Sequence, residues 1–509
     1  MKLVIRSTRH WIMPELIAVM AAVPFVQGSV VAAQKVRPPA VAGSFYPADP
    51  KVLSATIDEM LAAVPARPIT DAILAVVAPH AGYAYSGPVA AYTYAALKGR
   101  KYSRVVVIAP SHFESFDYTS IYDGDAYATP LGNVPIDKAF AAQLAQMSPS
   151  MKLSEHGHSP TSAGAEHAIE VQLPWLQKVL GSFQLVPIVM GNQSYENSRA
   201  LGVALAKLIA GGDTLIVASS DLSHYHPSNE AVRMDHKSLN ALESWDYFSM
   251  SRNFEARIWE ACGGAPIVSA MIAAERMGAN QAQVLKYANS GDVTGDRTQV
   301  VGYSADLFLK AQSTLRVAPA FSLSERDKEE LLTLARKSVE HMVTTKEAYE
   351  PPASAREALN QDALNQERGA FVTLKKAGVL RGCIGYTSAR KPLYMTVRDT
   401  ATLAAFRDPR FQPVTADELP QLSYEISVLS PLRRAVNIEQ IQIGQHGLLM
   451  MNGTSEGLLL PQVPVEQGWD RQKFLEQTCV KAGMNPACWK DEDTDIFLFT
   501  AVVFGEHEP

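Results

Sequence analysis

The chain has 509 residues, which at roughly 150 residues per domain corresponds to about three domains or two large ones and excludes a single small module. Hydrophobic residues make up 47% and charged residues 19%, with 31 Gly and 31 Pro, a globular composition that is neither disordered nor fibrous. Lys and Arg number 46 against 52 Asp and Glu, so the net charge of −6 offers no general basic surface to nucleic acid, and four Cys cannot frame a small disulfide scaffold.

Lys2, Arg6 and Arg9 precede an apolar stretch from Leu16 to Val26, followed by Gly28, Ser29 and Val31-Ala32-Ala33 before Gln34. That order outlines a secretory signal peptide over residues 1–33 and predicts export to the periplasm or cell envelope. Glu15 and Pro24 fit the alternative, an apolar extension retained on a cytoplasmic protein. From Val36 to about Leu309, uniformly apolar β-branched runs alternate with Ala- and Leu-rich stretches, which predicts α/β layers around a mostly parallel, doubly wound sheet. Strands are expected at Ile73–Val77, Val105–Ile108, Leu185–Val189, Leu215–Ala218 and Val300–Phe308, and helices at Gly87–Leu97, Ile136–Met147, Ala168–Leu180 and Ser198–Ile209.

The pattern dissolves over 313–323, a linker, and Ser324 with Asp327 three places on opens a new helix running to about Val343. The first domain is therefore placed at 36–312 and a smaller α+β domain at 324–509. In the latter, Phe371–Leu374 and Val379–Ile384 read as a hairpin, with further strands at Leu422–Leu429, Gly447–Met451, Gly457–Leu460 and Ile496–Val503. Helices are expected near Leu393–Phe406 and Trp469–Ala482. No internal repeat is present.

Three strands end alike: an apolar run, a small residue or Pro, then groups able to bind metal or move protons. They lead into Pro79-His80, Pro110-Ser111-His112 and Ser219-Ser220-Asp221-Leu222-Ser223-His224. In a parallel sheet these carboxyl ends share one edge, where such folds place ligands. Cys262, in Ala261-Cys262-Gly263-Gly264, can join two imidazoles as a third metal ligand, and such donors suit iron, copper or zinc. Its other reading is a small buried hydrophobe. Glu166 and Glu170, four apart, are expected on one helix face, as a ligand-orienting carboxylate or as helix-start acids. Asp221 and His224 are candidates for orienting a ligand or for acid–base work.

At these residues a resemblance becomes specific. RPPAVAGSFYP, APHAGYAYSGPVAA, APSHF, EHAIEVQLPWL, SSDLSHY, CGGAPI and YANSGDVTGDRTQVVGY, in this order over Val36 to about Gln312, resemble the Memo family, the B component of the AmmeMemoRadiSam system. The resemblance implies a fold similar to the class III (LigB-type) extradiol dioxygenases. It also implies a metal pocket of His80, His112 and Cys262, with Asp221 and His224 beside it, the two residues read here as catalytic groups. The second half resembles the AMMECR family, the A component, through RGAFVTLKKAGVLRGCIGY, FRDPRFQPVTADELPQLSYEISVLSPL and GQHGLLMMNGTSEGLLLPQVPVEQGWD, from about Ser324 to Glu506. The fusion implies one pathway for both halves, with a radical S-adenosylmethionine protein as third member. No iron–sulfur spacing of Cys occurs in this chain.

Cys383, between glycines and beside Arg381, reads either as a catalytic thiol of lowered pKa or as a buried strand Cys. His446 is a further candidate for its pocket. Cys479 and Cys488 can pair in an exported protein. The expected function is that of a metal protein, with iron(II) first and copper or zinc as alternatives, acting in oxidation on a small organic substrate. A thiolate in place of the dioxygenase carboxylate argues against the ring-cleaving reaction itself. Peptide or ligand binding without turnover, and copper or iron handling in the envelope, are the rival readings.

Overall fold

Strand β2 (Ala72–Ala78) and strand β3 (Arg104–Pro110) are apolar at nearly every position because both of their faces are covered. Side chains alternate across a strand, so Val106 and Ile108 enter one apolar layer while Val105, Val107 and Ala109 enter another. The computed structural model describes residues 34–161, 165–209, 211, 213–312, 321–352, 359 and 361–506. The expected leader over 1–33 and most of the expected linker, 313–320, lie outside the described residues.

Among the described residues the first half is built on twelve strands. β1 (Val36–Arg37), β5 (Ala126–Thr129) and β6 (Gly132–Pro135) form a small sheet. A nine-stranded sheet runs β10-β12-β2-β9-β3-β8-β4-β7, with β11 also on β12. Its members besides β2 and β3 are β4 (Thr119–Ile121), β7 (Met151–Leu153), β8 (Gln184–Met190), β9 (Thr214–Ser219), β10 (His224–His226), β11 (Gln281–Asn289) and β12 (Val300–Lys310). The four central strands β2, β9, β3 and β8 are mutually parallel. The expectation of parallel pairing stops there. β12 follows β11 through a short connection, returns antiparallel to it and to β2, and β4 joins β8 antiparallel, so the sheet is mixed.

The second half opens with the helix Glu325–Thr345, whose Ser324 and Asp327 form the expected capping box. β13 (Ala370–Lys376) and β14 (Val379–Tyr386) make the expected hairpin, extended by β15 (Leu422–Leu429) and β20 (Ala501–Gly505). A second sheet orders β16 (Arg433–Arg434), β19 (Asp495–Phe499), β17 (Gly447–Asn452) and β18 (Ser455–Leu459). The single strand expected at Ile496–Val503 is thus two strands. The chain changes sheets at Thr500, whose N–H donates to Ser430 Oγ at 2.9 Å and whose carbonyl accepts from Ser430 N. Cys479 and Cys488 are disulfide-bonded. Among the described residues no helix is long and apolar enough to cross a membrane.

One apolar layer is common to both halves. Tyr247, Phe248 and Met250 of the first half pack with Leu449, Met451, Phe497 and Phe499 of the second. Around it, Asp495 accepts from both Arg199 and Arg276, and Arg434 reaches Glu275 at 2.9 Å. Each large apolar side chain so buried contributes roughly 1.5–3 kcal/mol.

The start of the first half is tied down by polar groups. Arg37 and Glu170 are both buried and pair at 2.7 Å, and Arg37 also donates to the carbonyls of His158 and Glu166. Buried His158 bonds through Nδ1 to Tyr127 Oη at 2.6 Å, and burial with the nearby Arg37 charge pushes its pKa down to about 3. The unfolded chain therefore takes up a proton near pH 6.5 that the folded one refuses, and this contribution to stability is full above pH 6.5 and lost as pH falls toward 3. Unfolding free energies from urea titrations at pH 6.5 and 5.5 should differ by about 1 kcal/mol from this residue, and a His158→Gln variant should lose that slope.

Candidate metal centre

β2, β3 and β9 run parallel, so their carboxyl ends deliver His80, His112 and Asp221 to one edge of the sheet. Pro79 and Pro110 lack an N–H and help to end the ladder there. Cys262 arrives from the opposite direction, just before the helix Gly264–Arg276. Gly263 between them is required by space: a Cβ there would collide with the carbonyl oxygen of Ser219 and the side chain of Ser220.

The hydrogen bonds assign a tautomer to each imidazole. Ser219 Oγ gives its single proton to the Ala168 carbonyl at 2.6 Å and accepts from Gln172 Nε2 at 2.7 Å. Its contact with His80 Nδ1 at 2.9 Å must therefore be a second accepted bond, which puts the His80 proton on Nδ1 and leaves Nε2 with a free lone pair. That Nε2 lies 3.2 Å from Cys262 Sγ. His112 Nδ1 likewise faces Glu166 Oε1 at 3.0 Å and donates to it, freeing its Nε2. The other oxygen of Glu166 accepts from the His112 backbone N–H at 2.7 Å.

His80, His112 and Cys262 each offer one ligand atom within 4.8 Å of the others. Three ligands held at about 2.0–2.3 Å from one ion stand roughly 3.5 Å apart, so the group fits a metal without rearrangement of the strands. The imidazole and thiolate donors suit iron, copper or zinc. Burial and the neighbouring His112 hold His80 well below the usual histidine range, in the neutral state a ligand requires. Burial also pushes the Cys262 thiol up, while Asp221 N donates to its sulfur at 3.2 Å. Glu166 is buried, but its bonds to His112 bring it down to about 2.

Asp221 lies beside the group: its Oδ1 accepts from His80 N at 2.8 Å, its Oδ2 lies 4.0 Å from His80 Nε2, and burial raises its pKa. His224 stands half-buried beside Tyr225, outside both ligand groups, its backbone N–H donating to Glu260. Tyr225 has a φ of 61° and is 70% exposed.

Other expectations need correction. Glu166 and Glu170 do not share a helix face. The helix begins only at Leu173, after a short turn of 3-10 helix at Glu170–Gln172, and the two acids serve His112 and Arg37 respectively. Cys383 is not activated by Arg381, because that guanidinium is taken by both oxygens of Glu418 at 2.9 Å. Burial raises the Cys383 thiol pKa, and Thr373 Oγ1 donates to the sulfur at 3.3 Å. His446 accepts from Gln442 N within its own turn.

Sequence reasoning missed Ser219, Gln172 and His167 as parts of the centre. His167 stacks on His112 at 4.8 Å and, with His112 and Glu166, forms a second group of ligand atoms within 4.8 Å. Its position next to Glu166 in EHAIE was the available signal.

Imidazole and thiol groups gathered at the carboxyl edge of a buried sheet define a class of α/β protein equipped to hold a metal ion. The family model described as Memo-like protein matches residues 37–307, and the AMMECR1 model matches residues 332–504. The chain belongs to the Memo family and carries an AMMECR1 domain fused behind it. It is similar to the MEMO1 family protein MK0963 of Methanopyrus kandleri, with 39% identity over 285 residues, 53% of this chain and 98% of that protein. A MEMO1 family protein of Sulfolobus acidocaldarius is 36% identical over 283 residues, 53% of this chain and 97% of the relative. Among solved structures, protein PH0010 of Pyrococcus horikoshii is 41% identical over 35% of this chain and 91% of its own, with a TM-score of 0.33.

Proposed function

We propose that the first half is a mononuclear metal protein that carries out redox chemistry on a small organic substrate, with the ion held by His80, His112 and Cys262. The observation that carries this reading is the pair of imidazoles whose Nδ1 protons are committed to Ser219 and Glu166, so that both Nε2 lone pairs and the Cys262 sulfur are free to bind one ion. Iron(II) is the first choice, with copper and zinc as the alternatives that the same donors accept. The bound ion would supply Lewis-acid and electron-transfer chemistry. Asp221, whose carboxyl is raised by burial, would hold a proton beside His80, and His224 would be the nearby base. The similarity to class III extradiol dioxygenases supports oxidation as the reaction type, while the softer, oxidisable thiolate turns the reading away from ring cleavage. Cys383 enters as a half-buried strand thiol.

Protein purified without oxygen should hold close to one ion per chain by elemental analysis. His80→Ala and Cys262→Ala should each lose it, and full retention by both would sink the site.

The fusion with an AMMECR1 domain supports a radical S-adenosylmethionine protein as partner. The leader pattern and the Cys479–Cys488 disulfide support export. A mature amino terminus at or near Gln34 is then expected, and intact Met1 on protein from the native cell would contradict it. A role in envelope metal handling is separated from catalysis by turnover of an added substrate.

A further inference from the structure

A cavity of about 530 Å³ lies between the two halves, far larger than a single water needs and within the range of small-molecule sites. Lys237, Asp246 and Trp259 line it from the first half, and Glu367, Arg368 and Thr387 from the second. Lys237 and Glu367 pair across it at 2.7 Å, so their charges cancel.

Arg368 is different. Three other guanidiniums between the halves are matched, Arg199 and Arg276 by Asp495 and Arg434 by Glu275, while Arg433 does not line the cavity. Among the described residues no carboxylate lies within ion-pair distance of Arg368. Its guanidinium rests over the Phe321 ring at 4.4 Å and donates from Nη2 to Gln366 Oε1 at 3.1 Å. Asp246, the nearby acid, spends one oxygen capping the helix Tyr247–Glu255 through Ser249 N. Burial pushes Arg368 below the ordinary arginine range, with Asp246 acting against it. Three residues of the same lining also carry a buried atom without a hydrogen-bond partner among the described residues: Arg368 Nε, Trp259 Nε1 and Glu367 Oε2. Buried polar groups are ordinarily satisfied, so three such atoms in one lining are exceptions that ask for a partner.

We propose that this cavity binds a small organic acid that also carries a hydroxyl or amine, its carboxylate pairing with Arg368 and its donor group facing Glu367 and Asp246. A guanidinium recognises a carboxylate with two parallel bonds, and no group on either wall supplies that partner. Since each half contributes one wall, the ligand joins them.

Isothermal titration of the full chain with L-malate and L-glutamate tests this, with succinate as the acid lacking a donor group. At least one of the first two should bind with a dissociation constant below about 10 mM, at least tenfold more tightly than succinate. Arg368→Gln should weaken that binding at least tenfold. Ser244→Leu, which keeps Arg368 but fills space in the cavity, should weaken it as well, and unchanged circular dichroism would confirm that both variants fold. Absence of binding of both acids to the wild-type chain, or equal binding by Arg368→Gln, would overturn the proposal and leave the cavity to water.

Discussion

Replacing Glu170 by Ala is expected to destabilise the protein by about 3–5 kcal/mol, the usual cost of leaving one member of a buried pair without its partner. Glu170 accepts from Arg37 Nη1 at 2.7 Å, from the Ala40 and Val41 backbone at 2.7 and 3.0 Å, and from Tyr46 Oη at 2.6 Å. Removing it strips four donors at once, and Arg37, 2% exposed, cannot turn to water. A double change of Arg37 to Met and Glu170 to Leu should recover only the part of the loss due to the unpaired charge, because the Ala40 and Val41 N–H groups and Tyr46 Oη still lack their acceptor. Urea unfolding of the three proteins decides the matter. A single-variant loss below about 1 kcal/mol would mean that the pair carries no more than a surface bridge does.

The second large effect is on metal affinity. Glu166→Gln should weaken binding roughly 10–100-fold, the range seen when a group that orients a ligand histidine is removed. Gln keeps the size of the side chain but loses its charge and can accept at only one end. In the native arrangement both oxygens accept, Oε1 from His112 Nδ1, His167 N and Ala168 N, and Oε2 from His112 N. The amide nitrogen would have to face one of these N–H groups. Competition against a chelator, with iron(II) added to metal-free protein, gives the affinity directly, and equal values for variant and wild type would show that Glu166 does not orient His112. Arg37 donates to the Glu166 carbonyl, so the two sites are mechanically adjacent.

The strands of the first half were legible because burial on both faces leaves an unbroken apolar run, as in Ala72–Ala78 and Arg104–Pro110. The residues just past them were legible for the same reason, since a parallel strand predicts where its end points. Less could be read where a partner is remote. Arg37 and Glu170 are 133 positions apart, and nothing local marks either as half of a buried pair. Glu166 and Glu170 have helical spacing, yet hydrogen bonds to His112 and to the chain start hold them in a turn, a tertiary override of local pattern. At Ile496–Val503 the apolar run continues through a corner, because it feeds one buried strand and one half-exposed strand and only Thr500 departs from the pattern. For Cys383, the adjacent Arg381 suggested activation, while its actual partner, Glu418, lies 37 residues on.

The apolar layer shared by the two halves ties their substitutions together. Phe497 and Phe499 lie in one buried cluster with Tyr247 and Phe248, so each half's face in this layer would meet solvent without the other. A substitution on either side is therefore judged by the fit of the other. Exchange of one half for that of a distant relative would need the matching aromatic face to be carried over with it.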